Sequence, residues 1–207
     1  MNATGTPPPP AARPTGATAP TATGAPETPV RSLELARLAV TVSVLAVAAC
    51  IVVAGIVAVA APAQARAWLG FTFPGVAPRP AVAVGIFAHN LRSLSGVLVL
   101  LIFSRLVARA PEERSARLAV RLGELILAGA ITANIAVVAV ALGAYRERML
   151  ITLMPHGPFE LAAYSLALAL YLQDRRHNQP AAHVAKVAIA CVALLAIAAV
   201  LETWVNL

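Results

Sequence analysis

The chain alternates between long apolar segments and short polar connections. Five of the segments are close to the roughly twenty residues that are needed to cross the hydrocarbon core of a bilayer. They cover about residues 38–60, 81–107, 122–143, 155–172 and 184–205. Because a backbone in lipid must satisfy its own hydrogen bonds, apolar runs of this length form helices. The pattern predicts an all-α membrane protein, a bundle of about five transmembrane helices.

Residues 1–32 differ in composition from the rest of the chain. Eight of the sixteen prolines fall within the first thirty residues, which hold almost no large apolar side chain. Such a segment buries too little apolar surface to offset the entropy lost on folding. We therefore predict a disordered Pro-rich cytoplasmic tail at 1–32 and a helical transmembrane domain at 33–207. Since the PPPP run favours polyproline II, a partner-binding motif remains the alternative to a plain linker.

The overall composition agrees with a membrane location. Hydrophobic residues make up 59% of the chain and charged residues only 12%, whereas soluble proteins average about 25% charged residues. The net charge of +7 is also found in nucleic-acid-binding proteins. Here the basic residues lie in short loops between apolar segments, which is a topology signal. We predict the lipid bilayer, and no nucleic acid, as a partner.

The positions of lysine and arginine predict the orientation, because cytoplasmic loops carry an excess of both. With the N-terminus inside, eleven basic residues fall on the inner side: Arg13, Arg31, Arg37, Arg105, Arg109, Arg114, Arg117, Arg121, Arg175, Arg176 and Lys186. Four fall on the outer side: Arg66, Arg79, Arg146 and Arg148. We therefore predict a cytoplasmic N-terminus and an extracytoplasmic C-terminus for this multi-pass protein.

The stretch LMPHGPFELAA, at residues 153–163, places a histidine and a carboxylate where the fourth apolar segment begins. His156 and Glu160 are four residues apart, a spacing that puts two side chains on one face of a helix. Pro155 and Pro158 fit the first turn of a helix, where their missing amide donors would have no partner. A helix is therefore predicted to start here, with an ionisable pair at its N-terminus.

Other polar residues are predicted to lie at the same depth. His89, Asn90 and Arg92 come roughly 10 to 15 Å below the outer end of the second segment, at 1.5 Å per residue. Four segments thus bring polar groups to the outer half of the membrane. The predicted intramembrane polar cluster contains His89, Asn90, Arg92, Asn134, His156, Gly157, Glu160 and Glu202.

Ionisable groups in hydrocarbon are costly when unpaired. We expect Arg92 to pair with Glu160 or Glu202, while Asn90, Asn134 and His156 supply hydrogen bonds between helices. Two interpretations of the cluster remain open. It is either a structural network that fixes helix packing or a functional site.

The motifs of membrane-embedded enzymes are missing from the sequence. HGPFE lacks the second histidine and the adjacent glutamate of the HExxH zinc motif, and no serine stands in a GxSxG setting. Cys50 and Cys191 lie inside apolar segments and offer no metal-ligand spacing. The prediction is a non-enzymatic protein with no catalytic residue, no metal and no cofactor.

The loop between the second and third segments is strongly basic. Arg105, Arg109, Arg114, Arg117 and Arg121 recur at helical spacing, which predicts helical extensions at the cytoplasmic surface. Such extensions are attracted to anionic lipid. A docking site for a cytoplasmic partner is the alternative interpretation.

The chain resembles the stage II sporulation protein M family of bacterial membrane proteins over residues 80–207. MPHGPFELAA looks like its signature PHG-x-x-E-h-x-A stretch, and FAHN looks like its Asn-containing segment. Asn134 is similar to its third-span asparagine, and AAVLETWV to its closing segment with a glutamate. His89 departs from the paired asparagine often found in the family.

The resemblance implies a protein of the bacterial cell membrane that scaffolds or regulates a cell-envelope remodelling complex with peptidoglycan-remodelling proteins. The namesake works in sporulation. The family is also similar in fold to the membrane domains of ABC-2-type permeases. The alternative it implies is a permease-like subunit of an ABC-type transporter, which would dimerise and pair with an ATP-binding subunit. A homo-oligomer is compatible with either function.

Overall fold

The computed structural model describes residues 29–73, 78–108 and 114–205, and within these ranges the chain forms seven helices and no strand. The helices are α1 (Pro29–Ala60), α2 (Pro62–Leu69), α3 (Pro80–Ala108), α4 (Arg114–Tyr145), α5 (Glu147–Leu153), α6 (Gly157–His177) and α7 (Ala181–Trp204). The predicted disordered tail lies outside the described residues apart from its last four, which belong to the start of α1.

The five long helices form one bundle whose two ends are distinguished by their polar contacts. At one end, which we call the Asp174 end, Arg105 of α3 pairs with Asp174 of α6. Glu124 of α4 also lies at this end, where its carboxylate is 3.3 Å from the guanidinium of Arg175. These contacts place the last turns of α3 and α6 beside the early part of α4.

The opposite end, which we call the Glu160 end, holds the first turns of α6. Here Arg146 donates a 3.0 Å hydrogen bond to the carbonyl of Ala58, near the end of α1. Asn90, in the first half of α3, donates to Glu160. The helices α3 and α6 therefore run from the Glu160 end to the Asp174 end, and α1, α4 and α7 run in the opposite direction.

The helix α6 is the centre of the bundle. It packs against α1, α3 and α7, and its residues Ala163, Ala167, Ala169 and Leu170 have no exposed surface. Small residues on a helix allow neighbouring backbones to approach closely. The row of alanines explains how three long helices can surround this one.

Four helices are long and apolar enough to cross a membrane, namely α1, α3, α4 and α7. Many of their large apolar side chains point outward; on α1, Val59 is 88% exposed and Ile51 is 66% exposed. In water such a surface would be unfavourable, whereas in a bilayer it contacts lipid tails. The chain is therefore a multi-pass, all-helical membrane protein with at least these four candidate spans.

The remaining predicted span, at residues 155–172, corresponds to α6, which does not meet the same hydropathy criterion. Gln173, Asp174, Arg175 and Arg176 lie within its last two turns and lower its mean hydropathy. The helix α6 can carry these polar residues because it is central in the bundle. A helix covered by protein on most sides does not need an apolar outer face. With 21 residues, α6 is about 31 Å long at 1.5 Å per residue.

The connection between α1 and α3 carries a small aromatic cluster at the Glu160 end. Phe71 stacks on Tyr145 with ring centroids 5.9 Å apart, and Phe73 meets the same ring edge-on at 5.0 Å. Trp68, in the last turn of α2, is exposed. Aromatic side chains of this kind collect at membrane interfaces.

Candidate functional site

The start of α6 has the local structure that its prolines predict. The short helix α5 ends at Leu153, a turn follows, and Pro158 occupies the first turn of α6. The carbonyl of His156 accepts hydrogen bonds from the backbone amides of Phe159 at 3.0 Å and Glu160 at 3.2 Å. His156 therefore stands at the cap of the helix and Glu160 one turn along it.

Gly157 permits the tight connection between α5 and α6. A β-carbon built at this position would lie 2.8 Å from Cγ of Leu153 and 2.9 Å from its Cδ1. Leu153 would have to move to admit any larger residue. Gly157 thus lets Leu153 pack closely at the junction of α5 and α6, and it does not line the cavity described below.

The side chains of Asn90 and Glu160 connect α3 to α6. The amide of Asn90 donates a hydrogen bond to Oε1 of Glu160. One turn further along α6, the hydroxyl of Tyr164 donates a 3.1 Å hydrogen bond to the backbone carbonyl of Asn90. These two bonds fix the relative rotation of the two helices around Asn90.

A cavity of about 390 Å³ opens beside this contact. It is bounded by α3, by the start of α6 and by the end of α7. Its lining residues are Gly85, Ile86, His89, Asn90, His156, Glu160 and Glu202. Five residues of the predicted polar cluster, contributed by three helices, thus face one space.

Arg92 lies outside this cavity, and its predicted pairing with Glu160 or Glu202 does not occur. Among the described residues its guanidinium takes part in no ion pair, and Arg92 is exposed. Two residues along an α-helix correspond to a rotation of about 200°. Because Asn90 faces α6, Arg92 must face away from it.

Asn134 is also separate from the cavity. It is exposed on α4, whereas Ile131 and Ile135 on the same helix are half-buried. A rotation of about 100° separates Asn134 from Ile135, so the asparagine lies beside the packed face of α4 and not within it. The predicted hydrogen bonds from Asn134 to the cluster are therefore not formed.

A second polar site at the Asp174 end was not predicted from the sequence. The Nε of Arg105 donates a 2.8 Å hydrogen bond to Oδ2 of Asp174, and its Nη2 donates to Oδ1. The backbone amide of Gln179 donates a 2.8 Å bond to the same Oδ1. The Asp174 side chain is 3% exposed and that of Arg105 is 19% exposed. The sequence could have suggested this pair, because Arg105 and Asp174 lie near the ends of two predicted segments that cross the membrane in the same direction.

The placement of Arg105 changes the predicted docking surface. Arg105 is engaged inside the bundle, and Arg109 lies outside the described residues. The remaining three, Arg114, Arg117 and Arg121, are exposed on the first two turns of α4. We call these three residues the α4 basic surface.

The α4 basic surface borders a second cavity, of about 270 Å³. Arg117, Arg121 and Arg175 contribute its charged lining and Ser104 a hydroxyl. Arg175 also lies 3.3 Å from the carboxylate of Glu124, which accepts a hydrogen bond from the hydroxyl of Tyr171. The strongest concentration of positive charge in the described chain is therefore at the Asp174 end.

The cluster at the Glu160 end has the composition of a cation site. His156, Glu160 and Glu202 each offer one ligand atom, and these three atoms lie within 4.8 Å of one another. The same groups are also able to accept hydrogen bonds or exchange protons with a molecule in the cavity.

Comparisons of the chain with protein-family models, with curated proteins and with solved structures found no match.

Proposed function

We propose that the chain is a non-enzymatic protein of the bacterial cell membrane that scaffolds or regulates a cell-envelope remodelling complex. The proposal combines the resemblance of MPHGPFELAA to the stage II sporulation protein M signature with one structural observation. That observation is the closed middle of the bundle. A scaffold requires a rigid membrane body, which a closed core provides.

The closed middle is formed by apolar side chains between the two polar ends. Leu94 of α3, Ala167 and Leu170 of α6 and Leu195 of α7 all have no exposed surface and belong to one core. Glu160 and Asp174 are fourteen positions apart on α6, which corresponds to roughly 21 Å. The core between them supports a bundle whose helices are held in fixed positions.

The proposed topology has five spans, with α6 as the fourth in chain order. In its favour, α6 extends from the Glu160 end to the Asp174 end alongside the four other long helices. The α4 basic surface and Arg175 collect at the Asp174 end. By the positive-inside rule, we assign the Asp174 end to the cytoplasm and the Glu160 end to the outer side.

The α4 basic surface is the proposed contact for anionic lipid headgroups or for a cytoplasmic partner. Its three arginines are exposed and make no ion pair with the described residues. Basic residues near a membrane surface contribute about 1 kcal/mol each to binding anionic lipid. Peptidoglycan-remodelling partners would instead contact the Glu160 end.

The alternative function is that of a permease-like subunit of an ABC-type transporter. Two cavities, one at each end of the bundle, favour it, because an occluded transporter closes its route between two such vestibules. In this case the chain would form a dimer and pair with an ATP-binding subunit through the α4 basic surface. The exposed Asn134 would then be a candidate for the contact between two copies, since asparagines hydrogen-bond across helices in membranes.

Thiol labelling distinguishes the two functions. In a variant without Cys50 and Cys191, cysteines are introduced singly by Gly85→Cys and Ala167→Cys. Gly85 lines the cavity at the Glu160 end and has open space around it, so a membrane-impermeant thiol reagent should modify a cysteine there from outside. Ala167 is fully buried in the core and should stay unmodified in a scaffold. Labelling of Ala167→Cys in native membranes would support transport and overturn the scaffold.

Crosslinking in native membranes tests the partners. We expect wall-remodelling proteins to be recovered with the wild-type chain, and equally with Arg117→Gln/Arg121→Gln, because these partners act at the opposite end. The control is Arg37→Gln, an exposed arginine at the Asp174 end but outside the α4 basic surface. Recovery of an ATP-binding protein that is lost only in the Arg117→Gln/Arg121→Gln variant would instead establish the transporter.

A further inference from the structure

His156, Glu160 and Glu202 form a group of candidate metal ligands, which is more than a network that fixes helix packing requires. We propose that these three side chains bind a divalent transition-metal cation of the Zn²⁺ class. Two ligands come from the start of α6 and the third from near the end of α7. The ion would join the start of α6 to the end of α7, which are separated in sequence by most of both helices.

The first support is the state of the histidine. His156 is only 8% exposed, and its Nδ1 is buried without a hydrogen-bond partner in the described part of the chain. Buried polar atoms in native proteins are nearly always satisfied, and an exception calls for an explanation. Since His156 also lines the cavity at the Glu160 end, coordination of an ion there supplies such an explanation.

The second support is the charge of the cavity. Glu160 and Glu202 contribute two carboxylates, and the described lining residues include no lysine or arginine. Arg92, the basic residue nearest in sequence to the lining residues His89 and Asn90, is exposed on another side of α3. Two carboxylates at close range in a low-dielectric environment repel each other strongly. A divalent cation between them removes this repulsion and matches their combined charge.

The third support is the geometry. The three candidate ligand atoms lie within 4.8 Å of one another, while the ligands of a tetrahedral zinc ion are about 3.4 Å apart, given metal–ligand distances near 2.0 to 2.1 Å. Binding would therefore require the two glutamate side chains to rotate toward the ion. The cavity has room for a fourth ligand, either water or the imidazole of His89, which also lines it.

Asn90 completes the arrangement without being a ligand itself. Its amide donates to Oε1 of Glu160, which leaves Oε2 for a metal ion. Hydrogen bonds of this kind orient ligating carboxylates in metal sites. A set of one imidazole and two carboxylates without a thiolate suits Zn²⁺ and neighbouring first-row divalent ions.

The test is metal binding by purified protein in detergent, expressed without a polyhistidine tag and stripped with a chelator. We expect one Zn²⁺ per chain by elemental analysis after desalting, and a rise in Tm when Zn²⁺ is added, because an ion that binds only the folded state stabilises it. No bound metal and an unchanged Tm would overturn the proposal.

Variants locate the site. Glu202→Gln and His156→Gln should each lower the Zn²⁺ affinity at least tenfold, whereas Glu147→Gln, an exposed glutamate on α5, should leave it unchanged. Because His156→Gln alters a buried residue, folding is checked by gel filtration. If that variant does not fold, Glu202→Asp replaces it, and a tenfold loss is again expected. Wild-type affinity in the Glu202 variants would overturn the assignment.

Discussion

Replacing Arg105 with leucine should lower the free energy of unfolding by about 3 to 5 kcal/mol, because it leaves a buried carboxylate without its counter-charge. The Asp174 side chain is 3% exposed and accepts hydrogen bonds from both Arg105 and the amide of Gln179. The loss is measured by reversible denaturation of the protein in detergent micelles, followed by circular dichroism.

Two further variants make this result specific. In Arg105→Leu/Asp174→Leu both charges are removed, so most of the lost stability should return. Arg175→Gln breaks a pair whose side chains are 45% and 34% exposed, and exposed pairs contribute only about 0 to 1 kcal/mol. Equal losses in Arg105→Leu and Arg175→Gln would show that the Asp174 end is hydrated and that its carboxylate does not need this partner.

Gly143→Ala should cost about 1 to 3 kcal/mol, the usual penalty for overpacking a core. A β-carbon at Gly143 would lie 2.5 Å from the carbonyl oxygen of Ala54 and 2.8 Å from Cβ of Val57. Both atoms belong to or are close to the backbone of α1, so a side-chain rotation cannot relieve the clash. The helices α1 and α4 would have to separate, and the change is measured as a lower midpoint of unfolding.

The matched control is Gly129→Ala on the same helix, where nothing lies within 4 Å of the added carbon. Alanine is a better helix former than glycine by about 1 kcal/mol, so this variant should be neutral or slightly more stable. A loss of stability in Gly129→Ala as large as that in Gly143→Ala would mean that the effect comes from the helix itself and not from its contact with α1.

The apolar pattern predicts the membrane-spanning helices well because lipid imposes one simple requirement on each of them. The helices α1, α3 and α4 contain the whole of the corresponding predicted segments, and α7 contains all but the last residue of its segment. The helices α1 and α4 begin nine and eight residues before the predicted starts. The prolines around His156 likewise predict where α6 begins. These features depend on local chemistry that a single sequence carries.

The polar contacts could not be predicted in the same way, because they depend on helix rotation. Depth alone suggested that Arg92 and Asn134 would join the cluster, yet both point away from it, while Asn90 points inward. For the same reason, the motif HGPFE gives no sign of Glu202, which only the packing of α7 brings close to it.

The central position of α6 has a consequence for the order in which the protein enters the membrane. Charged residues on a lone transmembrane helix are costly to insert, and α6 carries Glu160 and Asp174, one near each end. Their partners, Asn90 and Arg105, both belong to α3, which the ribosome makes first. In the proposed topology, α3 is therefore already in the bilayer when α6 inserts, and it carries the hydrogen-bond donors for both carboxylates of α6. Synthesis from the N- to the C-terminus thus assists the insertion of α6.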